Sequence, residues 1–461
     1  MSVRKRRVVK AAGYSLSEPV DSGTVLLDSF KRRWITGCAI GQGGFGRIYS
    51  VKLEGENSHR YVVKIEPQEN GPLFTEMHFY LRACSEDSIN SWKVKHSLKY
   101  LGIPKYVSSG SVVLNKKPLR FLVMDRFSGD FETTLKNHKI SASGIIDVCT
   151  NVLNALEYVH SRDYAHADIK ASNLLHGTSQ EEVYLADFGL VHLFRSRGVH
   201  AAEKPDPKFR HNGTLEFCSR DAHNGLPPSR RGDLEILFFN LIHWLARSHP
   251  NSSQSHFTGL PWGHLISDPK LRANVPDRVK MAVADEKEKT MKSPGEFVLQ
   301  AGYGPNADLL SFIQCILQLG YADTPDYGYL RKCLYSAKCS IGKQMVSSCK
   351  STLSSDQTST SSPSRRKYNA KNTSKISDSC ALNSVENLDC MNSISKTPDS
   401  LPAKRSRGRP PGRCKQVENI SPVVSDRRRS GWCQTSPELL AVAKAEALGR
   451  RALKLAEMKL S

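Results

Sequence analysis

Residues Tyr164–Leu175 read YAHADIKASNLL and set His166, Asp168, Lys170 and Asn173 at a spacing that phosphoryl transfer can use. A carboxylate can take the proton of an acceptor hydroxyl, and a lysine two residues on can neutralise a travelling phosphoryl group. An amide oxygen five residues after the carboxylate can help hold Mg²⁺. Polar residues at this spacing also occur in ordinary surface loops. The rest of the chain has to decide between them.

Upstream, β-prone runs around Cys38 and Ile40, Ile48–Leu53 and Tyr61–Val63 are separated by turns reading GQGGFG and EGENSH. The first turn carries Gly41, Gly43, Gly44 and Gly46. It bridges two strands rather than opening a helix, which disfavours a dinucleotide turn and favours a flap over phosphates. Glycine lets backbone amides approach phosphate with no Cβ in the way. Lys64 follows within an apolar run, VVKIE, where a lysine is out of place unless it has work to do. Helical spacing over Leu73–Cys84 sets Glu76 on the same element as Leu73, Met77, Tyr80 and Leu81, making it the expected partner of Lys64.

Residues 86–97 read as a short helix, and Phe121–Met124 as an apolar run ending in a hinge at Asp125-Arg126-Phe127. Ile145, Ile146, Val148, Val152, Leu153, Leu156 and Val159 recur three or four apart, a helix that leads into the opening stretch. After it, a strand over Val183–Ala186 delivers Asp187-Phe188-Gly189. The order of glycine turn, strand lysine, helix glutamate, catalytic loop and D-F-G leaves a chance surface loop little room.

Composition bounds the setting. The 461 residues carry a formal charge of +21, of which residues 341–461 hold 22 Lys and Arg against 10 Asp and Glu. Such a basic tail suits a polyanion. The twelve cysteines show no C-x-x-C pair, so reduced thiols are expected. The N-terminal MSVRKRRVVK leads into no apolar core, and the most apolar run, Leu234–Ala246, is shorter than the roughly 20 residues a bilayer requires. A soluble intracellular protein with no membrane partner is expected, a monomer by default.

Residues 30–335 resemble a eukaryotic protein kinase domain. Gly213-Thr214-Leu-Glu-Phe, Ser219-Arg-Asp-Ala-His-Asn-Gly225 and Ser229-Arg-Arg-Gly-Asp233-Leu-Glu235 resemble the casein kinase one superfamily, and within it the vaccinia-related kinases. The stretch 87–106 is similar to that family's extra helix, which buttresses the glutamate helix in a closed position. The resemblance implies an α+β, bilobal kinase fold with a β-rich N-lobe over about 30–124, a hinge at 125–128 and an α-rich C-lobe over 129–335. A flexible basic lead-in over 1–24 would precede a domain spanning 25–335.

Position by position, the resemblance implies ATP contacts at Ile40, Gly41, Gly43, Gly44, Gly46, Ile48, Lys64, Glu76, Met124, Asp125 and Phe127. Asp168, Lys170 and Thr214 would be catalytic, and Asn173 and Asp187 would hold Mg²⁺. Asp233 would open a buried helix over Leu234–Leu245 and brace the catalytic loop from behind. Two departures matter. The arginine usual before the catalytic aspartate is Ala167, and the usual A-P-E is replaced by Ser219–Gly225. A phosphate on the activation segment therefore has no such arginine to meet, and constitutive activity is expected. The resemblance further implies histones and barrier-to-autointegration factor as substrates, and roles in chromosome organisation and cell division.

Residues 347–364 hold twelve Ser and Thr in eighteen, so the tail over 340–435 is expected to be disordered. Ser362, Thr397, Ser421 and Ser436 each precede proline. Within the tail, residues 404–413 (KRSRGRPPGR) resemble an AT-hook, in which Arg407, Gly408, Arg409, Pro410 and Arg413 would lie in the minor groove of A·T-rich DNA. A nuclear-import run is the competing reading, and the two are compatible. Ser436-Pro437 opens an Ala/Leu/Lys-rich stretch expected to be helical over 436–460.

Overall fold

The structure is a computed structural model that describes residues 15–354, apart from 44–45, 138–139, 179–181, 250–258, 269–270 and 272–274, with side chains through residue 343. Gly44, the AT-hook-like stretch 404–413 and the expected helix 436–460 lie outside the described residues.

The alternating runs of the first hundred residues become strands β1 (Val25–Leu27), β2 (Arg33–Gln42), β3 (Arg47–Leu53) and β4 (Tyr61–Pro67), joined by β5 (Ser108–Leu114) and β6 (Lys117–Asp125). All pair antiparallel in the order β1-β2-β3-β4-β6-β5. Their inward residues, among them Trp34, Tyr49, Val51, Val63, Ile65 and Phe121, form a core of their own. One carboxylate organises its edge. Asp28 accepts from the amides of Phe30 and Arg32, the Arg32 guanidinium, the Trp34 indole and the Ser108 hydroxyl.

The lead-in expected to be flexible over 1–24 is described from residue 15, and there it is tied to the sheet. Arg47 Nε donates to the Ser17 carbonyl (2.9 Å), Val20 N to the Tyr49 hydroxyl (3.0 Å) and Gly23 N to the Thr36 carbonyl (2.7 Å), while Glu18 meets Lys117 at 2.6 Å. The segment pairs its polar groups with the sheet, which a sequence pattern of polar residues does not reveal.

Helix α1 (Pro72–Ala83) crosses behind the sheet, followed by α2 (Glu86–Lys95). Trp92 of α2 stands edge-on to Tyr158, whose hydroxyl donates to the Ala83 carbonyl at the end of α1. This fixes the C-terminal end of α1. After β6 the chain enters the lower lobe through β7 (Gly129–Asp130) and α3 (Phe131–Lys136). The long helix α4 (Ala142–Ser161) follows, with all seven of its expected core residues buried.

Short strands β8 (Tyr164–Ala165), β9 (Leu174–His176) and β10 (Val183–Leu185) carry the site loops, and β11 (His192–Leu193) pairs with β8. Helix α5 (Arg220–His223) precedes α6 (Arg230–Ser248), buried almost throughout. Helix α6 starts a turn earlier than the expected Leu234, because the Ser229 side chain caps it by accepting from Gly232 N. Asp233 thus sits inside its first turn.

Helices α7 (Asp277–Lys292), α8 (Pro294–Leu299) and α9 (Ala307–Leu317) complete the lobe with α10 (Tyr327–Ser354), which runs antiparallel to α4 and past the expected boundary at 335. Leu330, Leu334, Ala337 and Ile341 keep burying one face of it, while Arg331 meets Glu157 (2.6 Å) and Lys338 meets Asp147 (2.7 Å). No described helix is long and apolar enough to cross a membrane.

Burial alone would raise the Asp28 pKa, yet its five donated bonds outweigh that and bring it from 3.8 down to about 2. A folded-state value below the unfolded one stabilises above pH 4 and loses that stability as pH falls toward 2. Asp28→Asn would turn an amide N–H against those donors. We expect it to lower stability by about 2 kcal/mol at pH 7. Chemical denaturation should show the gap narrowing below pH 4, and a gap constant from pH 7 to pH 3 would contradict this account.

Candidate active site

Strand β4 sets Lys64 on the face opposite Val63 and Ile65, toward the cleft, and α1 aims Glu76 at it. Lys64 Nζ lies 2.8 Å from Glu76 Oε2 and 3.0 Å from Asp187 Oδ1. Burial opposes the ammonium charge, but Asp187 and Glu76 together raise the lysine's pKa and keep it protonated. Burial likewise raises the Glu76 pKa above the ordinary carboxylate value, and the 2.8 Å contact with Lys64 works against that rise. Asp187, whose side chain is 38 % exposed, opens toward the cleft. Burial would raise it, and Lys64 brings it below the ordinary value.

Phe188 stacks on Phe79 of α1 at 4.1 Å and stands edge-on to Tyr80 and His166, while its amide donates to Glu76 Oε1. Asp187 is left-handed (φ 63°), which turns its carboxylate away from this aromatic seat.

The catalytic loop is shaped from beneath by Asp233. Its carboxylate accepts from His166 N (2.6 Å) and Ala167 N (2.8 Å). His160 donates to it from Nε2 (2.9 Å) and pairs through Nδ1 with the Tyr327 hydroxyl (2.6 Å). Ala167 takes φ 69°. Gly213 (φ +91°) closes over it so tightly that a Cβ there would lie 2.7 Å from the Ala167 carbonyl. Burial lowers the His166 pKa, and the ring accepts from Asp168 N on Nδ1 and donates from Nε2 to the Ala186 carbonyl (3.2 Å), a neutral imidazole.

This frame brings Asp168, Lys170 and Thr214 together. Asp168 Oδ1 accepts from Thr214 N (2.9 Å) and from its hydroxyl (2.7 Å). Lys170 Nζ reaches both Asp168 Oδ2 (2.7 Å) and Thr214 Oγ1 (2.9 Å). Asn173 donates to the Asp168 carbonyl (2.8 Å), and its own carbonyl accepts from Ala186 N, next to Asp187.

Above them, Gly41 and Gly43 have nothing within 3.7 Å of a would-be Cβ, whereas at Gly46 a Cβ would strike Glu66 at 2.5 Å. Ile40, 41 % exposed, and Ile48 flank the flap, with Gly41 facing Ile48 in the ladder. Met124 and Asp125 end β6. Phe127 lies 4.9 Å from Tyr184, and Ser128 N donates to the His176 carbonyl, so the hinge joins the two lobes here.

The donor set fits a nucleotide with Mg²⁺. Asp187 and Asn173 offer hard oxygen ligands beside a lysine and an open glycine flap. Among the described residues no group of three or more His, Cys, Asp or Glu could hold a metal. Two protein ligands suit an ion that shares its shell with phosphate oxygens and water.

Sequence reading did not identify His160 and Tyr327, which support Asp233. It also missed Glu66, whose buried carboxyl is pushed up to about 7 by burial and accepts from Leu73 N. The only sequence signal for Glu66 was its position two residues beyond Lys64, on the same face of the strand.

A cleft of this kind defines a protein kinase domain, and the protein kinase domain family matches residues 34–219. The chain belongs to the vaccinia-related kinase family of serine/threonine protein kinases. It is 35 % identical to the B1 kinase of Monkeypox virus over 316 residues, covering 68 % of this chain and 96 % of the viral one. It is 39 % identical over 336 residues to nucleosomal histone kinase 1 of Drosophila melanogaster, and 36 % identical over 327 residues to serine/threonine-protein kinase VRK2 of Homo sapiens. Those matches cover 71 % and 70 % of this chain, but span only 52 % and 60 % of the two relatives' own lengths. The solved structure of vaccinia related kinase 3 superposes with a TM-score of 0.58 at 27 % identity, covering 69 % of this chain and 92 % of that one.

Asp168→Asn keeps an oxygen for the Thr214 amide but cannot take up a proton. We expect its turnover on a serine or threonine acceptor to fall about a thousandfold. Binding of a fluorescent ATP analogue should change less than about twofold. An equal loss in both measurements would place Asp168 in nucleotide binding instead.

Proposed function

We propose that this chain is an ATP- and Mg²⁺-dependent serine/threonine protein kinase that works on chromatin-associated proteins in the nucleus. The observation that carries the reading is the joint hold of Thr214 by Asp168 and Lys170. It fixes the carboxylate, the ammonium and the activation segment in one arrangement.

Asp168 orients the acceptor hydroxyl and takes its proton, and Lys170 meets the charge of the phosphoryl group in passage. Lys64, held by Glu76, grips the α- and β-phosphates under the flap of Gly41, Gly43, Gly44 and Gly46. Ile40, Ile48, Met124, Asp125 and Phe127 surround the base at the hinge. Asn173 and Asp187 would hold the metal, which would supply neutralisation of phosphate charge.

Histone substrates are supported by the similarity to a protein named nucleosomal histone kinase 1. The wider family resemblance adds barrier-to-autointegration factor and roles in chromosome and nuclear-envelope organisation during cell division. The R-G-R-P core at 407–410 supports a tail that grips A·T-rich DNA through Arg407, Gly408, Arg409, Pro410 and Arg413. Tethering raises the local concentration of the kinase at its substrates. The competing readings are a scaffold with an intact but silent cleft and a tether acting through the tail alone.

Radiolabelled ATP with purified nucleosomes separates them. Wild type should label histones and Asp168→Asn should not. Deletion of 404–413 should lower affinity for A·T-rich duplex about tenfold at low salt and flatten its salt dependence. Mg²⁺-dependent nucleotide binding with no labelling of any protein would favour the scaffold. Because Ala167 leaves no arginine for an activation-segment phosphate, phosphatase-treated enzyme should keep its activity within about twofold. Loss of most activity on that treatment would refute phosphate-independent competence.

A further inference from the structure

Helix α7 carries the run Asp285-Glu286-Lys287-Glu288-Lys289, whose composition is that of a solvated face. Lys287 nevertheless sits on the inner face with Val283 and Met291, at 0 % exposure. Its Nζ donates to the carbonyls of Leu215 (2.9 Å) and Cys218 (2.7 Å), and lies 3.7 Å from the Cys218 sulfur. The rings of Phe239 and Trp262 flank it at 5.4 and 5.2 Å. Among the described residues its hydrogen bonds reach carbonyls and a thiol, and none reaches a carboxylate. A buried ammonium is costly, and packing alone would be served by an apolar side chain such as its two neighbours on that face.

The carbonyls it meets belong to the loop 214–218, which follows directly from the Thr214 held by Asp168. Trp262 Nε1 donates to the Glu216 carbonyl between them (2.8 Å), and the Thr214 carbonyl accepts from Phe217 N and Cys218 N. The carbonyls of residues 214, 215, 216 and 218 are therefore all bound. The loop lies beside the carboxylate that must meet the acceptor hydroxyl, so an acceptor polypeptide has to run along it.

We propose that Lys287, with Trp262, is the internal device that fixes loop 214–218 as the docking ledge for the acceptor polypeptide. It does from inside the lobe what an arginine-bound phosphate would do from outside, the arginine being replaced by Ala167. This rests on the protein kinase reading. Lys287 touches neither nucleotide phosphates nor Asp168. It is a positioning residue that acts through the loop, and its effect should fall on the acceptor and spare ATP.

Steady-state kinetics of the full chain with core histones, varying acceptor and ATP separately, test this. Lys287→Met should raise the acceptor KM about tenfold and leave the ATP KM within about twofold. Lys287→Arg, which keeps the charge and donors, should recover most of the loss. Trp262→Phe, which removes only the indole N–H among the polar contacts, should shift the acceptor KM in the same direction by a smaller factor. An unchanged acceptor KM in Lys287→Met overturns the proposal. So does an equal rise in both KM values, or an arginine variant no better than methionine. If Lys287→Met yields no folded protein, an unchanged acceptor KM in Trp262→Phe overturns it. A wild type that labels no protein overturns the kinase reading itself, whereas a working wild type with indifferent variants overturns this proposal alone.

Discussion

A buried carboxylate that receives two backbone amides governs this molecule. Asp233 accepts from His166 N and Ala167 N, and with them it holds a left-handed alanine one residue before Asp168. A non-glycine residue in that region costs roughly 1 kcal/mol or more, and it persists only where the surroundings over-determine it. Here they do, through Asp233 below and Gly213 above. Once the backbone at Ala167 is set, Asp168 can face Thr214 and Lys170. The chemistry of the site follows from a bond made on the far side of the loop.

The second constraint joins the lobes. Lys64 belongs to the sheet, Glu76 to α1 and Asp187 to the lower lobe, and the three meet within 3.0 Å. Each carboxylate helps hold the lysine charged, and the lysine works against the burial that would neutralise each carboxylate. Phe188 seals the joint by filling the space between Phe79, Tyr80 and His166. The electrostatic and aromatic contacts therefore reinforce one geometry, in which α1 is drawn toward the cleft and Asp187 points into it.

Much of this was legible in the sequence because the chemistry demands residues at fixed local spacings. The glycine turn, the Asp168–Asn173 spacing and Asp187 are short motifs, Lys64 and Glu76 sit on a strand and a helix whose patterns could be read, and the structure brings the described ones together. What escaped were partners supplied from far along the chain. His160 lies on a helix whose pattern is an apolar stripe, which carries no mark of a single buried polar residue, and Tyr327 is 161 residues beyond His166. Lys287 hid in a charged run that composition assigns to solvent. The ordered lead-in from residue 15 was missed for the same reason, since its polar groups are satisfied by the sheet and not by water.

The pairing of Tyr327 with His160 carries the domain well past the segment that the family model matches. The family match ends at residue 219, yet the support of the catalytic loop closes only at Tyr327, the first residue of α10. The next turns of α10 are keyed to α4 by Arg331 and Lys338. A chain cut short anywhere between 219 and 327 would retain every residue of the cleft and still lack the keystone beneath it. Nonsense or frameshift changes in the codons for residues 220–326 would thus read as enzyme defects, although they touch no residue that meets nucleotide or acceptor.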